Sequence, residues 1–278
     1  MDDNALSSAR DRHQSRAARQ FEGISGTIRI VAAASVIAIV LRSFVLEPFN
    51  IPSESMLPTL RAGDYLFVAK WPYGFSRYSL PLAPPLLNGR IGDSPPHRGD
   101  VVVFKTPRDN RTDYIKRVFG LPGDRVRMVD GAIELNGVLV PRIRSGNFLV
   151  EALAGSGCHD AGWPVHSSTG KMFCSYPRYI EQLGSRRYAV LDQIISDAPD
   201  NTPIFTVSAG HYFVEGDNRD DSADSRMSIA DGGVGMIPAE DLIGRAEVVF
   251  FSTSGTAVLA RPATWLATLR LGRIGTRL

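Results

Sequence analysis

"DYIKRVFGLPGD", residues 113–124, sets a lysine inside a stretch that otherwise reads as a β-strand. Tyr114, Ile115, Val118 and Phe119 favour strands, and Pro122-Gly123 closes the run with a turn signal. Side chains alternate along a strand, so Tyr114, Lys116 and Val118 share one face. A lysine there either lies at a solvated edge or is desolvated, and desolvation lowers its pKa. Lysine is scarce in this chain: Lys70, Lys105, Lys116 and Lys171 are all there are.

Strand character recurs on both sides of this run. Tyr65–Val68, Val101–Phe104, Arg125–Val129, Val138–Val140, His211–Val214 and Glu247–Phe251 are short and rich in β-branched and aromatic residues. Asp130-Gly131 and Asn136-Gly137 are hairpin-turn signals between them. Long amphipathic helical patterns are missing between residues 50 and 255. The expected fold is therefore mainly β and antiparallel. Residues 142–205 differ, with both cysteines and several Gly/Ser/Pro clusters, and they read as an inserted smaller β subdomain. The proline-rich stretch from Pro72 to His97 reads as a long loop.

The chain has 278 residues, 44% of them hydrophobic, and a formal net charge of +2. That composition is globular, and without a Lys/Arg stripe it argues against nucleic-acid binding. Cys158 and Cys174 lack CxxC spacing, the five histidines are scattered, and there is no HExxH, P-loop or GxGxxG, so no metal or cofactor is expected.

Residues 24–46, ISGTIRIVAAASVIAIVLRSFVL, hold the longest apolar run. The uncharged core, Ile30 to Leu41, is too short alone for a hydrocarbon layer of about 30 Å. Extended past Arg29 and Arg42, whose heads can snorkel, the helix reaches about 34 Å. A buried core helix or a signal-peptide h-region has similar length. The sequence after the run, Arg42-Ser43-Phe44-Val45-Leu46-Glu47, lacks the small residues of a cleavage site, which favours an uncleaved anchor. Arg10, Arg12, Arg16 and Arg19 precede it, so the N-terminus is expected in the cytoplasm and the body outside. The resulting division is a cytoplasmic tail over 1–23, an anchor over 24–46, a β-rich domain over 47–252 and a basic C-terminal segment over 253–278.

Two further stretches stand out. "PFNIPSESMLPTL", residues 48–60, presents Ser53 and Ser55 among three prolines just after the anchor. A hydroxyl is a poor nucleophile unless a base activates it. "VEGDNRDDSADSR", residues 214–226, crowds four aspartates, a glutamate and two arginines. It fails the calcium-loop pattern, with Ser225 where glycine is needed counting from Asp220, and otherwise reads as a polar turn of Asp–Arg pairs.

These stretches, with "GDYLFVAKWPYG" and "RGDVVVF", occur in an order that resembles bacterial type I signal peptidases over about 26–141 and 208–251. The resemblance implies a membrane-bound serine peptidase with a Ser/Lys dyad. Ser55, before Met56, matches the nucleophile and Lys116 the general base. Ser53 matches the serine that helps the Ser55 N–H form the oxyanion hole. Ser222 and Asp224 match the pair that positions the lysine, Ser222 being expected to touch it, and Arg226 the supporting network. Ile51, Pro52, Met56, Leu60, Tyr114 and Ile115 match residues lining shallow pockets for small side chains. Glu54, where some members have glycine, is expected to face solvent. Nothing functional is carried over for 142–205.

The implied activity is removal of signal peptides from exported preproteins after small residues of the Ala-x-Ala type, at the bacterial inner membrane, by a single-pass protein. Preproteins and membrane lipid are the expected partners, with no required protein partner evident. Rival readings are a self-cleaving repressor, a maturation peptidase dedicated to one pilin or conjugation substrate, and a noncatalytic membrane-tethered β adaptor. Cys158 and Cys174 are expected to form a disulfide, the alternative being two buried thiols. Residues 257–278 could lie as an interfacial helix with Trp265, Leu266, Leu269 and Leu271 on its apolar side, or pack on the domain.

Overall fold

The computed structural model describes residues 26–278 other than 86, 88, 153–157, 159–162, 169, 194–196 and 255–267. Helix α1, Gly26–Phe44, is the one helix among them long and apolar enough to cross a membrane. It is nearly all exposed, and its 19 residues rise about 28 Å. It is shorter than the expected 24–46. Residues 24 and 25 lie outside the described residues, while Val45 is a turn and Leu46 already begins a strand. The Glu47-Pro48 step disfavours helix there. Glu47 also fastens the helix end to the body, taking Arg42 Nε at 2.8 Å and Lys70 Nζ at 2.9 Å.

Fifteen strands follow among the described residues. They are β1 (Leu46–Asn50), β2 (Asp64–Ala69), β3 (Val101–Lys105), β4 (Asp113–Gly120), β5 (Arg125–Val129), β6 (Ala132–Leu135), β7 (Val138–Leu139) and β8 (Arg142–Glu151). The chain continues through β9 (Trp163–His166), β10 (Met172–Leu183), β11 (Arg186–Leu191), β12 (Phe205–Thr206), β13 (His211–Glu215), β14 (Ile237–Pro238) and β15 (Leu242–Ser252). The main sheet has seven strands in the order β1-β2-β15-β3-β4-β13-β14, and each pairing between these strands is antiparallel. A second sheet runs β11-β10-β8 with β9 also on β10, and a third runs β12-β5-β6-β7. The protein is therefore mainly β, and each strand expected from its β-branched and aromatic residues is present. Both hairpin signals hold: Asp130, Gly131, Asn136 and Gly137 all have positive φ, as tight primed turns demand. Among its described residues the Pro72–His97 stretch is irregular apart from 3-10 turns at Trp71–Tyr73 and Arg77–Ser79 and a bridge of Phe75 with Ile91.

The second sheet is built from 142–191, but it shares its core with the rest. Leu183, Tyr188 and Val190 pack in one cluster with Phe119, Val126 and Phe213. Residues 205–206, at the far end of the expected insertion and just past it, pair with β5 in the third sheet. Cys158 and Cys174 are bonded. They sit in a small cluster with Phe148, Tyr176, Leu191 and Leu57, so the bridge lies beneath the turn that follows Ser55.

Trp265 and Leu266 of the expected interfacial helix lie outside the described residues. Residues 268–278 dock on the body: Arg273 forks the buried Asp64, and Leu278 packs against the core of the main sheet. Their helical content beyond Thr268 is a single 3-10 turn at Leu271–Arg273.

Candidate active site

The chain leaves β1 and is pinned at once, Ile51 N donating to Asp64 O and Gly63 N to Ile51 O, each at 2.8 Å. It then winds into a turn through Leu57 N to Glu54 O at 3.0 Å and Leu60 N to Met56 O at 2.9 Å. Met56, Leu57 and Leu60 are buried beneath this turn. Packing from below thus holds Ser55 at the surface of the core, 9% exposed.

Lys116 arrives from the middle of β4, opposite Val102 of β3 and one residue before the end of β13 joins at Arg117. It is 2% exposed, and its Nζ donates to Ser55 Oγ at 2.7 Å. The strand alternation places it with Tyr114, whose ring centroid lies 5.5 Å from Nζ. Burial pushes its pKa down from 10.5 to about 8. Asp224, Asp217 and Asp221 pull it back up, and Arg226 adds to the fall. An amine near pH 8 in pKa and in contact with a hydroxyl can take that hydroxyl's proton. Ser53 Oγ stands 3.4 Å from Ser55 Oγ on the exposed side.

These residues open on a groove of about 390 Å³ lined by Ile51, Pro52, Tyr114, Ile115, Phe49 and Val103, among others. Met56 and Leu60, expected in the pockets, are instead core residues: 1% and 0% exposed, packed with Leu66, Val68 and Val249. The winding of residues 54–60 turns them inward. Glu54, expected to face solvent, is half-buried and borders the groove beside Ser53. The edge of β4 opposite β3 is unpaired over 113–116, because β13 joins it only from Arg117 onward.

The loop after β13 grips the nucleophile turn. Asn218 N donates to Ser55 O at 3.1 Å, and its Nδ2 to Glu54 O at 3.2 Å. Asp217 receives both arms of the Arg117 guanidinium, at 2.7 and 2.6 Å, and the Thr59 hydroxyl at 2.5 Å. Asp224 is held by Arg226 through two bonds of 2.9 Å and by Gly216 N at 3.0 Å, and these contacts lower its pKa against the upward push of burial. Among the described residues no hydrogen bond joins Ser222 to Lys116, the contact expected; Lys116 Nζ bonds Ser55 instead. The Ser222 Oγ is buried against Gly216 and close enough to Asp224 to help lower its carboxyl pKa. Deeper still, Arg219 lies between Glu181 of β10, at 2.5 Å, and Glu215, at 3.5 Å. Burial pushes the Glu215 carboxyl up to about 7.

Arg117 and Thr59 carry no role in the sequence reading, and Gly216, Asp217 and Asn218 only the loop's shared match to a supporting network. The Gly-Asp-Asn-Arg run at 216–219 was the available signal, but which backbone it grips depends on the fold. Away from the groove, Asp192, Asp200 and Asp220 bring carboxylate oxygens within 4.8 Å of one another, with Arg142 paired to Asp192. An acidic cluster balanced by a guanidinium does not by itself make a metal site.

Comparison with known proteins finds that the family described as Signal peptidase, peptidase S26, matches residues 24–251. Signal peptidase I of Rickettsia typhi is 36% identical over 250 residues, 86% of this chain and 88% of that one. Signal peptidase I of Rickettsia conorii is 34% identical over 249 residues, 86% of this chain and 87% of that one. A solved signal peptidase I from Enterococcus faecalis is 24% identical with a TM-score of 0.29, covering 55% of this chain and 97% of that one, a superposition too loose to argue from.

Proposed function

The chain belongs to the signal peptidase family, peptidase S26, and is a serine peptidase that cleaves signal peptides from preproteins; within that activity we propose that Ser55 is the nucleophile and Lys116 its general base. The observation that carries this is the 2.7 Å bond from a buried lysine, with its pKa brought down to about 8, to a serine at the end of an open groove.

Neutral Lys116 takes the Ser55 proton as Oγ attacks the scissile carbonyl. The oxyanion forms beside the Ser55 N–H and the Ser53 hydroxyl, which stabilise charge that is absent in the ground state. The ammonium then gives its proton to the leaving amine. Once neutral again, Lys116 takes a proton from water as that oxygen attacks the acyl carbon, and the ammonium returns the proton to Ser55 Oγ as the ester bond breaks.

The substrate lies extended, hydrogen-bonding to the free edge of 113–115 on one side and the chain at 51–53 on the other. Ile51, Pro52, Tyr114 and Ile115 leave room for small side chains before the cut, as in an Ala-x-Ala site. Asp224 and Arg226 set the field around the lysine, and Ser222 acts through Asp224.

Its family is anchored in the membrane, and the apolar helix Gly26–Phe44 is present here. The four arginines at 10–19 favour a cytoplasmic N-terminus, one membrane crossing, and a body on the outer face of the inner membrane. Tethering enzyme and preprotein in one bilayer, in contact with its lipid, raises their effective concentration. The curated relatives do not favour the dedicated maturation peptidase or the noncatalytic adaptor.

The test is cleavage of a preprotein with an Ala-x-Ala site by the full chain in detergent, beside Ser55→Ala and Lys116→Ala. Cleavage by the parent alone is expected. Cleavage by Ser55→Ala at the parental rate would overturn the assignment.

A further inference from the structure

The groove at Ser55 does not end at Asp113. A second hollow, of about 280 Å³, opens beyond it, and the two share Phe49 on one wall and Asp113 on the other. Both walls run to lower residue numbers away from Ser55. One passes from Ser53 through Phe49 to Glu47 and Arg42, the other from Lys116 through Asp113 to Arg111. The hollow thus lies between the groove and the end of α1, with Tyr78 and Ile243 on its apolar side.

A strand laid on the free edge of β4 advances one residue for each residue of that edge. Lys116 stands at the bond to be cut, and Asp113 is three positions along the edge from it. An extended substrate therefore reaches Asp113 at about the fourth residue from the cut and Arg111 at about the sixth. The direction follows from the substrate. The apolar stretch of a signal peptide precedes its cleavage site. The arm of the groove that runs towards the enzyme's own apolar helix leads into the hollow, so residues before the cut lie there.

Its charges are unevenly matched. Glu47 holds Arg42 at 2.7 Å and the buried Lys70 at 2.9 Å, and Asp113 holds Lys105 at 2.7 Å. Both lining carboxylates are thus engaged. Arg111, exposed at the rim, uses its main chain to bond Asp109 and Lys105, and its side chain has no ion pair or hydrogen bond among the described residues. Arg42, Lys70, Lys105 and Arg111 stand against Glu47 and Asp113, a surplus of two positive charges. Behind them, Arg77 and Arg108 stand against Asp109, Glu240 and Asp241, which takes one back and leaves the surroundings positive. A carboxylate entering the hollow meets cations without breaking a pair, whereas an ammonium has to compete for acids already held.

We propose that this hollow is the subsite for the residues about four to six positions before the cut, and that it takes acidic side chains there in preference to basic ones. The inference rests on the Ser55/Lys116 reading and on the extended substrate given above.

The test uses the full chain in neutral detergent and a preprotein with an Ala-x-Ala site. Glutamate, glutamine or lysine is placed singly at the fourth, fifth and sixth residues before the cut, and at the third residue after it as a control. Glutamate is expected to exceed lysine about fivefold in kcat/KM at one or more of the positions before the cut, the scale of an exposed pair gained and a repulsion avoided. Raised salt should shrink the ratio. The variant combines Lys105→Gln with Arg111→Gln. It leaves Asp113 unmatched at the rim and should abolish or reverse the order, while melting checks the fold. The glutamine substrates separate the two readings. If the parent cleaves them and Ser55→Ala does not, three results overturn the subsite alone: equal rates for glutamate and lysine or a preference for lysine, a preference seen only after the cut, or one that the double variant keeps. If Ser55→Ala cleaves them as fast as the parent, the Ser55 assignment fails and the subsite falls with it.

Discussion

A Cβ built on Gly216 would stand 2.5 Å from the carbonyl oxygen of Ser55 and 2.3 Å from Ser222 Oγ. Real Cβ atoms do not approach other heavy atoms so closely, so the loop and the nucleophile turn could not keep their contact with any side chain at 216. The same loop gives Asn218 N to the Ser55 carbonyl, so a shift there is transmitted to the attacking oxygen. Gly216→Ala is expected to lower kcat by about 100-fold, the scale of an ångström-sized misplacement at a reacting centre. Melting of the variant checks that the fold survives, with a loss of about 1–3 kcal/mol expected from overpacking. Parental kcat would show that the turn and loop can part without consequence.

Ser53→Ala is expected to keep the fold, because Ser53 is exposed and its one recorded side-chain contact is the 3.4 Å approach to Ser55 Oγ. Loss of one oxyanion donor lowers kcat by about 10²- to 10³-fold. KM should hold, since the donor acts on charge present only in the transition state. Steady-state kinetics separate the two constants, and a raised KM with constant kcat would make Ser53 a binding residue instead.

The bridge between Cys158 and Cys174 spans a sequence separation of 16 and shares its cluster with Leu57. In the chain-entropy description, closing a loop of that size is worth about 3 kcal/mol. Reduction is therefore expected to lower stability by about that amount in denaturant titrations. Thiol labelling of unreduced, denatured protein should find no reactive cysteine, and two labelled cysteines would contradict the bond.

The strands were legible because short runs of β-branched and aromatic residues favour extended chain. Val101–Phe104 and Tyr114–Phe119 needed no more than that, and Asp130-Gly131 and Asn136-Gly137 marked the turns from β5 to β6 and from β6 to β7 by the one backbone conformation such pairs favour. Alternation says nothing where the chain winds. Met56 and Leu60 lie in a turn whose hydrogen bonds rotate them into the core, while Pro52 stays on the groove. The meeting of Ser55 with Lys116 bridges 61 positions and could not be read from either stretch alone; the order of several motifs supplied it. Ser222 was misplaced for a related reason. In a loop crowded with acids and arginines, the backbone path decides which hydroxyl meets which partner. That path is set by Gly216, Asp217 and Asn218 reaching back across the fold to residues 54–59.

Lys116 makes catalysis and stability oppose one another. Burial lowers its pKa from 10.5 to about 8, with Asp224 as the chief opposing influence. Between those two values the unfolded chain binds a proton that the native chain does not, so stability rises with pH across the window. Below pH 8 the native state carries the whole cost of charging the buried amine, about 3 kcal/mol for a shift of this size. Lys116→Met fills the same space without that cost. It is expected to be inactive and yet more stable than the parent by about 1–3 kcal/mol at pH 7, with the advantage shrinking as pH climbs from 8 towards 10.5. Activity should titrate with the same group: kcat/KM of the parent rises with pH along a limb centred near 8, reporting the free enzyme's base. Lys116→Arg should stay inactive throughout, because a guanidinium does not give up its proton in this range. Denaturant titrations of parent and Lys116→Met at pH 7 and 10, set beside the two pH–rate profiles, test both halves together. A rate limb near 8 without a stability gain in the methionine variant would mean that the limb reports a group other than Lys116. Activity in the arginine variant would remove Lys116 from the role of base.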